Sequence, residues 1–166
     1  MNVSYYQLAV ESNICVLNNL SHLLDKAVAY CAERKIEERV LLEARLFPDM
    51  FPFKRQVQLV SDMTKGCAAR LTGQEPPAFE DKENTFPELQ ERIARTIAYL
   101  KTVKAESFAN AETREILLPR RDKPMRGDLF LMRHSLPNIY FHITTAYNIL
   151  RHNGVPVGKA DFLGAL

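Results

Sequence analysis

The chain has 166 residues, of which 46% are hydrophobic and 25% charged, and its net charge at pH 7 is +2. That length suits one domain with a buried core, and the composition is that of an ordinary globular protein. The small net charge argues against binding to nucleic acid or to an anionic membrane. No apolar run approaches the roughly 20 residues of a membrane-spanning helix. We therefore expect a single domain over residues 1–166, with no nucleic-acid partner and no membrane.

The three cysteines, Cys15, Cys31 and Cys67, are widely spaced and form no CxxC motif. This pattern is typical of reduced thiols packed in helices rather than of a disulfide framework. The N-terminal residues also lack the basic and apolar regions of a secretory signal peptide. We therefore expect a cytoplasmic protein.

Apolar residues at helical spacing predict two long helices in the first half of the chain. The first runs from about Tyr5 to Arg34 and begins with a capping box formed by Ser4 and Gln7. A short helix over residues 37–44 follows. The second long helix runs from about Pro52 to Leu71, with an apolar stripe toward the core and an outer polar face in solvent.

The connector between these helices, RLFPDMFP at residues 45–52, is apolar and contains two prolines. Prolines this close together fix a stiff, extended turn. One interpretation is a plug that covers one end of the core. The other is the rim of a pocket in which Arg45 and Asp49 are the polar groups. Gln56 lies beside the apolar stripe near the start of the next helix, where its side chain can point into such a pocket.

A third helix, from Phe86 to about Lys104, follows a second capping box formed by Thr85 and Glu88. Residues 113–118 and 125–132 then flank the turn-rich sequence PRRDKP and predict a small β-hairpin. Four basic residues cluster at the hairpin: Arg120, Arg121, Lys123 and Arg126. We interpret this cluster as solvated surface or, alternatively, as a contact for an anion or a partner protein.

The strongest helical pattern lies between Leu136 and His152, where apolar residues recur at steps of three and four. Ser135 is predicted to cap this fourth helix, with Pro137 in its first turn and Asn153-Gly154 at its end. A second, partly polar row lies about 100° from the apolar stripe and consists of Asn138, His142, Thr145 and Ile149. The helix is therefore expected to contact neighbours on two sides, with His142 at a seam between helices.

Four long helices with moderate connectors predict an all-α bundle in which the hairpin is a local insertion. The C-terminal segment from Gly158 to Gly164 is expected to fold back on this bundle. Phe162 and Leu163 would anchor it, because an unpacked tail has no use for large apolar residues.

These motifs resemble the DUF1993 family of domains of unknown function, within the DinB-like or YfiT-like helical-bundle superfamily. The resemblance covers nearly the whole chain and rests on RLFPDMFP at 45–52, Gln56-Val57, AARL at 68–71 with Gly73, PAFED at 77–81, LPN at 136–138, Phe141-His142, Thr145-Ala146-Tyr147, and ILRHNG at 149–154 through Gly158-Lys159 to DFLG at 161–164. It implies a four-helix bundle of up-down-down-up type and a homodimer. For wider members of the superfamily it implies nickel or zinc on three histidines, one from the second helix and an HxxxH pair on the fourth. Some of those members are thiol-dependent transferases or isomerases.

The sequence departs from that metal-binding pattern. The second long helix contains no histidine, and the positions four residues before and after His142 hold Asn138 and Ala146. Carboxamides are poor ligands for transition metals, whereas a catalytic zinc ion needs three imidazole, thiolate or carboxylate ligands. His134 lies eight residues before His142, a rise of roughly 12 Å on one helix, so the two could share an ion only if the helix begins after His134. We therefore expect no metal and no other cofactor.

Three classes of function fit these observations. The first is a metal-free homodimer that binds a small molecule or has a structural role, with Asp49, Gln56, Asn138 and His142 as candidate pocket residues. The second is a thiol-dependent transferase or a metal-dependent enzyme, in which His142 is the base and Asn138 or Gln56 orients the substrate. Convergence of these three side chains on one cavity would favour the enzyme. The third class is a regulatory partner protein that uses the basic hairpin tip.

Overall fold

The computed structural model describes residues 3–164 as a mostly helical fold with one small antiparallel sheet. In chain order the elements are α1 (Ser12–Arg34), α2 (Glu38–Leu42), α3 (Phe53–Leu71), α4 (Phe86–Thr102), a 3-10 helix (Ala105–Phe108), β1 (Glu115–Ile116), β2 (Met125–Arg126), α5 (Gly127–Phe130), α6 (Leu136–His152) and α7 (Lys159–Leu163). Two π-helical turns, Gln7–Glu11 and Leu131–Ser135, lead directly into α1 and α6. Among residues 3–164, no helix combines the length and apolar character that a membrane span requires.

Two capping boxes fix helix starts, as the sequence predicts. The backbone N–H of Gln7 donates to Ser4 Oγ at 3.1 Å, and the N–H of Ser4 donates to Gln7 Oε1 at 2.9 Å. Thr85 and Glu88 form the same reciprocal pair at the start of α4, at 3.3 and 3.0 Å. Each pair satisfies backbone donors that the first helical turn leaves free.

The core lies where the long helices meet, with α3 packed on α6 and α4, and α1 packed on α4 and α7. One cluster of buried apolar side chains extends from Ala9 to Val157. The predicted apolar stripe of α3 is confirmed as fully buried. Both rows of α6 are largely buried too, so this helix has neighbours on two sides. Tyr140 belongs to the predicted apolar stripe but is exposed.

The predicted hairpin is present but shorter than expected. Glu115 pairs with Arg126 and Ile116 pairs with Met125 in a two-residue ladder. The chain then enters a helix at Gly127, so the predicted strand over residues 125–132 is wrong for most of its length. A Cβ at Gly127 would lie 1.8 Å from the carbonyl oxygen of Ala111, which shows how closely the backbone passes at this turn.

The predicted cap at Ser135 is also wrong. Ser135 has helical backbone angles (φ −68°, ψ −59°) and its side chain makes no capping hydrogen bond. The helix reaches α6 from Gly127 through the π turn Leu131–Ser135. A π turn changes which carbonyls are paired, and Pro137 just beyond it has no N–H to contribute. The helix therefore continues past the proline instead of starting there.

The outer face of α3 was expected in solvent, but Gln58 and Lys65 are buried. The segment between α3 and α4 folds over this face and supplies counter-charges. Arg92 of α4 is almost completely buried and forms three ion pairs at 2.8–2.9 Å, with Asp62, Asp81 and Glu83. This network ties the segment to both helices.

The C-terminal segment folds back onto α1, as predicted. Asp161 binds Lys26 at 2.9 Å and the ring of His22 at 3.1 Å. Phe162 packs edge-on against an aromatic ring of α6, with 6.0 Å between ring centroids. Leu163 is exposed, so its predicted role as an anchor is wrong.

Candidate functional site

The structure brings together two of the four candidate pocket residues, Gln56 of α3 and His142 of α6. His142 Nδ1 lies 2.8 Å from Gln56 Oε1, and Gln56 Nε2 donates to the carbonyl oxygen of Phe51 at 3.1 Å. Because Phe51 occupies the amide nitrogen, Gln56 presents its oxygen to the ring, and an amide oxygen only accepts hydrogen bonds. The proton of the neutral imidazole is therefore assigned to Nδ1, and Nε2 carries the lone pair.

The surroundings of His142 keep the ring uncharged. The residue is 9% exposed, and burial lowers its pKa below the usual 6.5; the charge of Arg55 lowers this pKa further. Phe141 packs edge-on against the ring, with 5.2 Å between centroids. Within residues 3–164, Nε2 has no hydrogen-bond partner. His142 therefore offers a fixed, neutral acceptor.

The other two candidate residues lie apart from this pair. Asn138 Nδ2 donates to the carbonyl oxygen of His134 one turn earlier, so its amide is hydrogen-bonded within its own helix, beside the π turn. Asp49 is exposed on the connector, and within the described part of the chain its carboxylate joins no ion pair. The structure thus joins Gln56 to His142 but leaves Asn138 and Asp49 outside their hydrogen-bond chain.

The connector does not plug the core, contrary to one interpretation of its sequence. Phe47 and Phe51 are 62% and 55% exposed. The guanidinium of Arg45 donates to two connector carbonyls, of Pro48 at 3.4 Å and Met50 at 3.3 Å, which holds the segment as an outward turn. The connector contributes to the site through its backbone, since the carbonyl of Phe51 fixes the Gln56 amide.

The donors at this site do not fit the metal centre that the superfamily resemblance implies. Only one of three expected histidines is present, and Gln56 already occupies its Nδ1. His134 lies two turns earlier on a continuous helix and does not approach the same point. Within residues 3–164, no three His, Cys, Asp or Glu side chains are grouped so that they can hold a metal ion.

The cysteines do not supply a thiolate to this site. Burial raises the pKa of the Cys67 thiol to about 11 and also raises the pKa of Cys31. Cys15 lies in α1 as predicted, but its side chain is exposed, so its predicted packing is wrong. The described cysteines are all free thiols.

A second feature, which helical periodicity did not predict, is a groove of about 610 Å³ between the end of α3 and the hairpin. Four arginines line it: Arg70, Arg114, Arg120 and Arg121. The sequence singled out Arg120 and Arg121 as a basic cluster. It gave no reason to join them to Arg70, because the two segments are distant along the chain.

Comparison with known proteins places this arrangement of helices among DinB-like proteins. The crystal structure of a DinB family member protein from Shewanella denitrificans matches with a TM-score of 0.94 and 47% sequence identity, over 97% of this chain and 92% of that chain. The model of the family Domain of unknown function (DUF1993) matches residues 5–163, so the chain belongs to this family. A comparison with curated proteins found no match. The resemblance predicted from the motifs is confirmed.

Proposed function

We propose that this protein is a metal-free binder of a small molecule, in which His142 Nε2 accepts a hydrogen bond from the ligand. The observation that carries this proposal is the chain of hydrogen bonds from His142 Nδ1 through the Gln56 amide to the carbonyl of Phe51. It fixes both the orientation of the ring and the position of its proton. The ligand class that fits carries a hydroxyl, thiol or amine donor.

Nuclear magnetic resonance of protein labelled with 15N in its histidines tests this proposal. We expect the His142 nitrogens to report the Nδ1–H tautomer. Titration with phenol or benzyl mercaptan should then shift the Nε2 resonance saturably, whereas anisole, which has no donor, should not. The His134 resonance is the internal control. An Nε2–H tautomer, or no response to either donor probe, would contradict the proposal.

A second candidate function is a thiol-dependent transferase. The neutral, oriented His142 supports it, but Asn138 lies apart, so the three side chains expected of the enzyme do not converge. In such a reaction Nε2 takes the proton of a thiol, and the thiolate sulfur displaces the leaving group of an electrophile. The thiol would come from a substrate, because Cys31 and Cys67 are buried and the exposed Cys15 takes no part in the hydrogen-bond chain of His142.

The enzymatic alternative has its own assay, the conjugation of glutathione to 1-chloro-2,4-dinitrobenzene with release of chloride. If His142 is the base, the His142→Ala variant should lose about 10²–10⁴-fold of the rate. The Cys15→Ser variant is the control and should keep the rate. A wild-type rate equal to the uncatalysed background would leave the binding protein as the better function.

We further propose that the chain is a single domain with four main helices arranged up-down-down-up. The rings of Phe53 and Phe86 lie 6.0 Å apart, and Ser61 Oγ lies 2.7 Å from Thr96 Oγ1. Later positions of α3 therefore meet later positions of α4, which supports a parallel pair. By contrast, Gln56 near the start of α3 meets His142 within α6, and Cys67 near the end of α3 meets Ser135 just before α6. Later positions of α3 thus meet earlier positions of that helix, which supports an antiparallel pair.

A homodimer is the proposed assembly, supported by the family resemblance and by exposed aromatic side chains. These are Phe47 and Phe51 on the connector and Tyr140 and Phe141 on α6. Several large aromatic side chains exposed on a small protein support an interaction site if they adjoin one another. Sedimentation at micromolar concentration should give twice the chain mass of 19.0 kDa; a species at the chain mass itself would contradict the dimer.

The three free thiols support a reducing, cytoplasmic location.

A further inference from the structure

The arginine groove, defined by Arg70, Arg114, Arg120 and Arg121, carries positive charge that the protein does not neutralise. Within residues 3–164, none of the four guanidinium groups lies within 4.0 Å of a carboxylate oxygen. Glu75 and Glu115 also line the groove, but neither pairs with these arginines. Arg92, in contrast, is neutralised by three carboxylates. The groove is therefore prepared for an anion from outside the protein.

Two glycines make room for two of these arginines. A Cβ at Gly66 would lie 2.3 Å from Nη1 of Arg70, and a Cβ at Gly73 would lie 2.3 Å from Nη1 of Arg114. Gly73 also has a φ of +77°, which favours glycine. Arg114 Nε donates to the carbonyl oxygen of Leu71 at 3.1 Å, which orients its guanidinium against the end of α3. The hydrogen bond to Leu71 therefore orients Arg114 before any ligand binds, and Arg70 lies along the surface of α3 over Gly66.

A tight turn presents the other two arginines. The backbone N–H of Arg121 donates to the carbonyl oxygen of Leu118 at 3.1 Å, with Pro119 and Arg120 at the two corner positions. Arg120 has a φ of +65°, in a corner position where such turns favour glycine. The turn thus places two consecutive guanidinium groups along the groove.

The charges of the groove act on a neighbouring histidine. The pKa of His134 is lowered, first by burial and then by the charges of Arg121 and Arg70. Arg70 of α3 and Arg121 of the hairpin also line the same groove. An anion in the groove can therefore meet guanidinium groups from two segments.

Part of the lining of the groove is apolar. Leu117 is 62% exposed, and Ile116, Leu118 and Pro119 line the same groove. A volume of about 610 Å³ lies in the range typical of sites for small organic ligands. The site shares no residue with the His142–Gln56 pair and does not depend on the function proposed for that pair.

We propose that the arginine groove binds the phosphate monoester of a small organic molecule. The guanidinium groups contact the phosphate oxygens, and Leu117 contacts the organic group. Phosphate fits better than carboxylate, because three terminal oxygens can engage donors from both segments at once. The small net charge of the chain favours a small anion over a nucleic acid.

Isothermal titration calorimetry with phenyl phosphate, inorganic phosphate and benzoate, at constant ionic strength, tests this proposal. We expect phenyl phosphate to bind most tightly. The double variant Arg120→Gln/Arg121→Gln should weaken its binding by about tenfold or more. Lys123→Gln, in the same exposed loop but outside the groove lining, is the matched control and should bind within about twofold of wild type.

The Leu117→Ser variant tests the contribution of the organic group to binding separately from that of the phosphate. It should weaken phenyl phosphate several-fold but leave inorganic phosphate unchanged, since only the apolar contact is lost. The side chain is exposed, so the variant should fold normally. Absence of saturable binding to wild type, or equal binding to the double variant, would overturn the site. Equal affinity for benzoate and phenyl phosphate would overturn the assignment to phosphate.

Discussion

Replacing Gln56 by glutamate tests how the buried amide controls His142. The substitution places a carboxylate oxygen near the position of Oε1, which lies 2.8 Å from Nδ1 of the ring. Both side chains are buried, so the opposite charges interact strongly. A carboxylate at this distance favours the imidazolium and should raise the pKa of His142 by roughly 1–3 units, worth about 1.4–4 kcal/mol. The lowered pKa of the wild type would therefore become a raised one.

The dependence of stability on pH should reverse with the pKa. In the wild type the folded state has the lower pKa, so the unfolded chain takes up the proton first and stability falls as pH drops below 6.5. In Gln56→Glu the ion pair adds stability that is fully present below 6.5 and is lost as pH rises through the raised pKa.

A proton NMR titration of the histidine rings, with urea unfolding at several pH values, measures both effects. Gln56→Met is the control, because it removes the hydrogen bond without adding charge and should not raise the pKa of His142. A pKa that stays below 6.5 in Gln56→Glu would refute the geometry of the pair.

Three further substitutions test the fold, each by urea unfolding. Arg92→Met should lower the free energy of unfolding by about 3–5 kcal/mol, because it leaves partly buried carboxylates without their counter-charge. Its control, Arg95→Met on the exposed side of α4, should cost about 1 kcal/mol or less. Thr85→Ala should cost about 1 kcal/mol through the lost cap. Asp161→Asn should cost about 1 kcal/mol of unfolding free energy at pH 7. The Gly158 N–H and Lys26 lower the pKa of the Asp161 carboxyl to about 2. The stabilisation therefore disappears as pH falls from 3.8 toward 2.

Each of these expectations has a result that would contradict it. Equal unfolding midpoints for Arg92→Met and Arg95→Met would show that the buried network contributes little. A deficit in Thr85→Ala much below the cost of a lost cap would show that the box is not maintained in solution. A deficit in Asp161→Asn that persists unchanged at pH 2 would show that charge is not what holds the tail.

The long helices were predictable because burial repeats with the helical period. The stripe of α3 and the two rows of α6 follow directly from residue spacing. The start of α6 was not predictable in this way. Pro137 and Ser135 resemble a helix start, but a π turn carries the helix through them from Gly127. Local signals compete there with tertiary packing, and packing decides.

The candidate site was predictable in its members but not in its connections. Helical spacing put His142 at a seam and Gln56 beside the core, yet their hydrogen bond joins residues 86 positions apart. The same spacing placed Asn138 on the row of His142, but its amide binds the carbonyl of His134 instead. The outer face of α3 was also assigned to solvent, because the helical period does not reveal that the segment between α3 and α4 folds over that face.

The arginine groove illustrates the same limit. Leu71 and Arg114 are 43 positions apart along the chain and meet only in the fold. One local signal was available: Gly66 lies one turn before Arg70, and such spacing leaves room for the longer side chain to lie along the helix.

The most direct test of the metal-free His142–Gln56 site is elemental analysis of protein purified without a histidine tag, with and without added nickel and zinc. The His142→Ala variant is analysed in parallel. We expect no stoichiometric metal in either sample, because a single imidazole beside a carboxamide does not form a transition-metal site. Near-stoichiometric nickel or zinc in the wild type, lost in His142→Ala, would contradict this conclusion and identify a metal centre at His142.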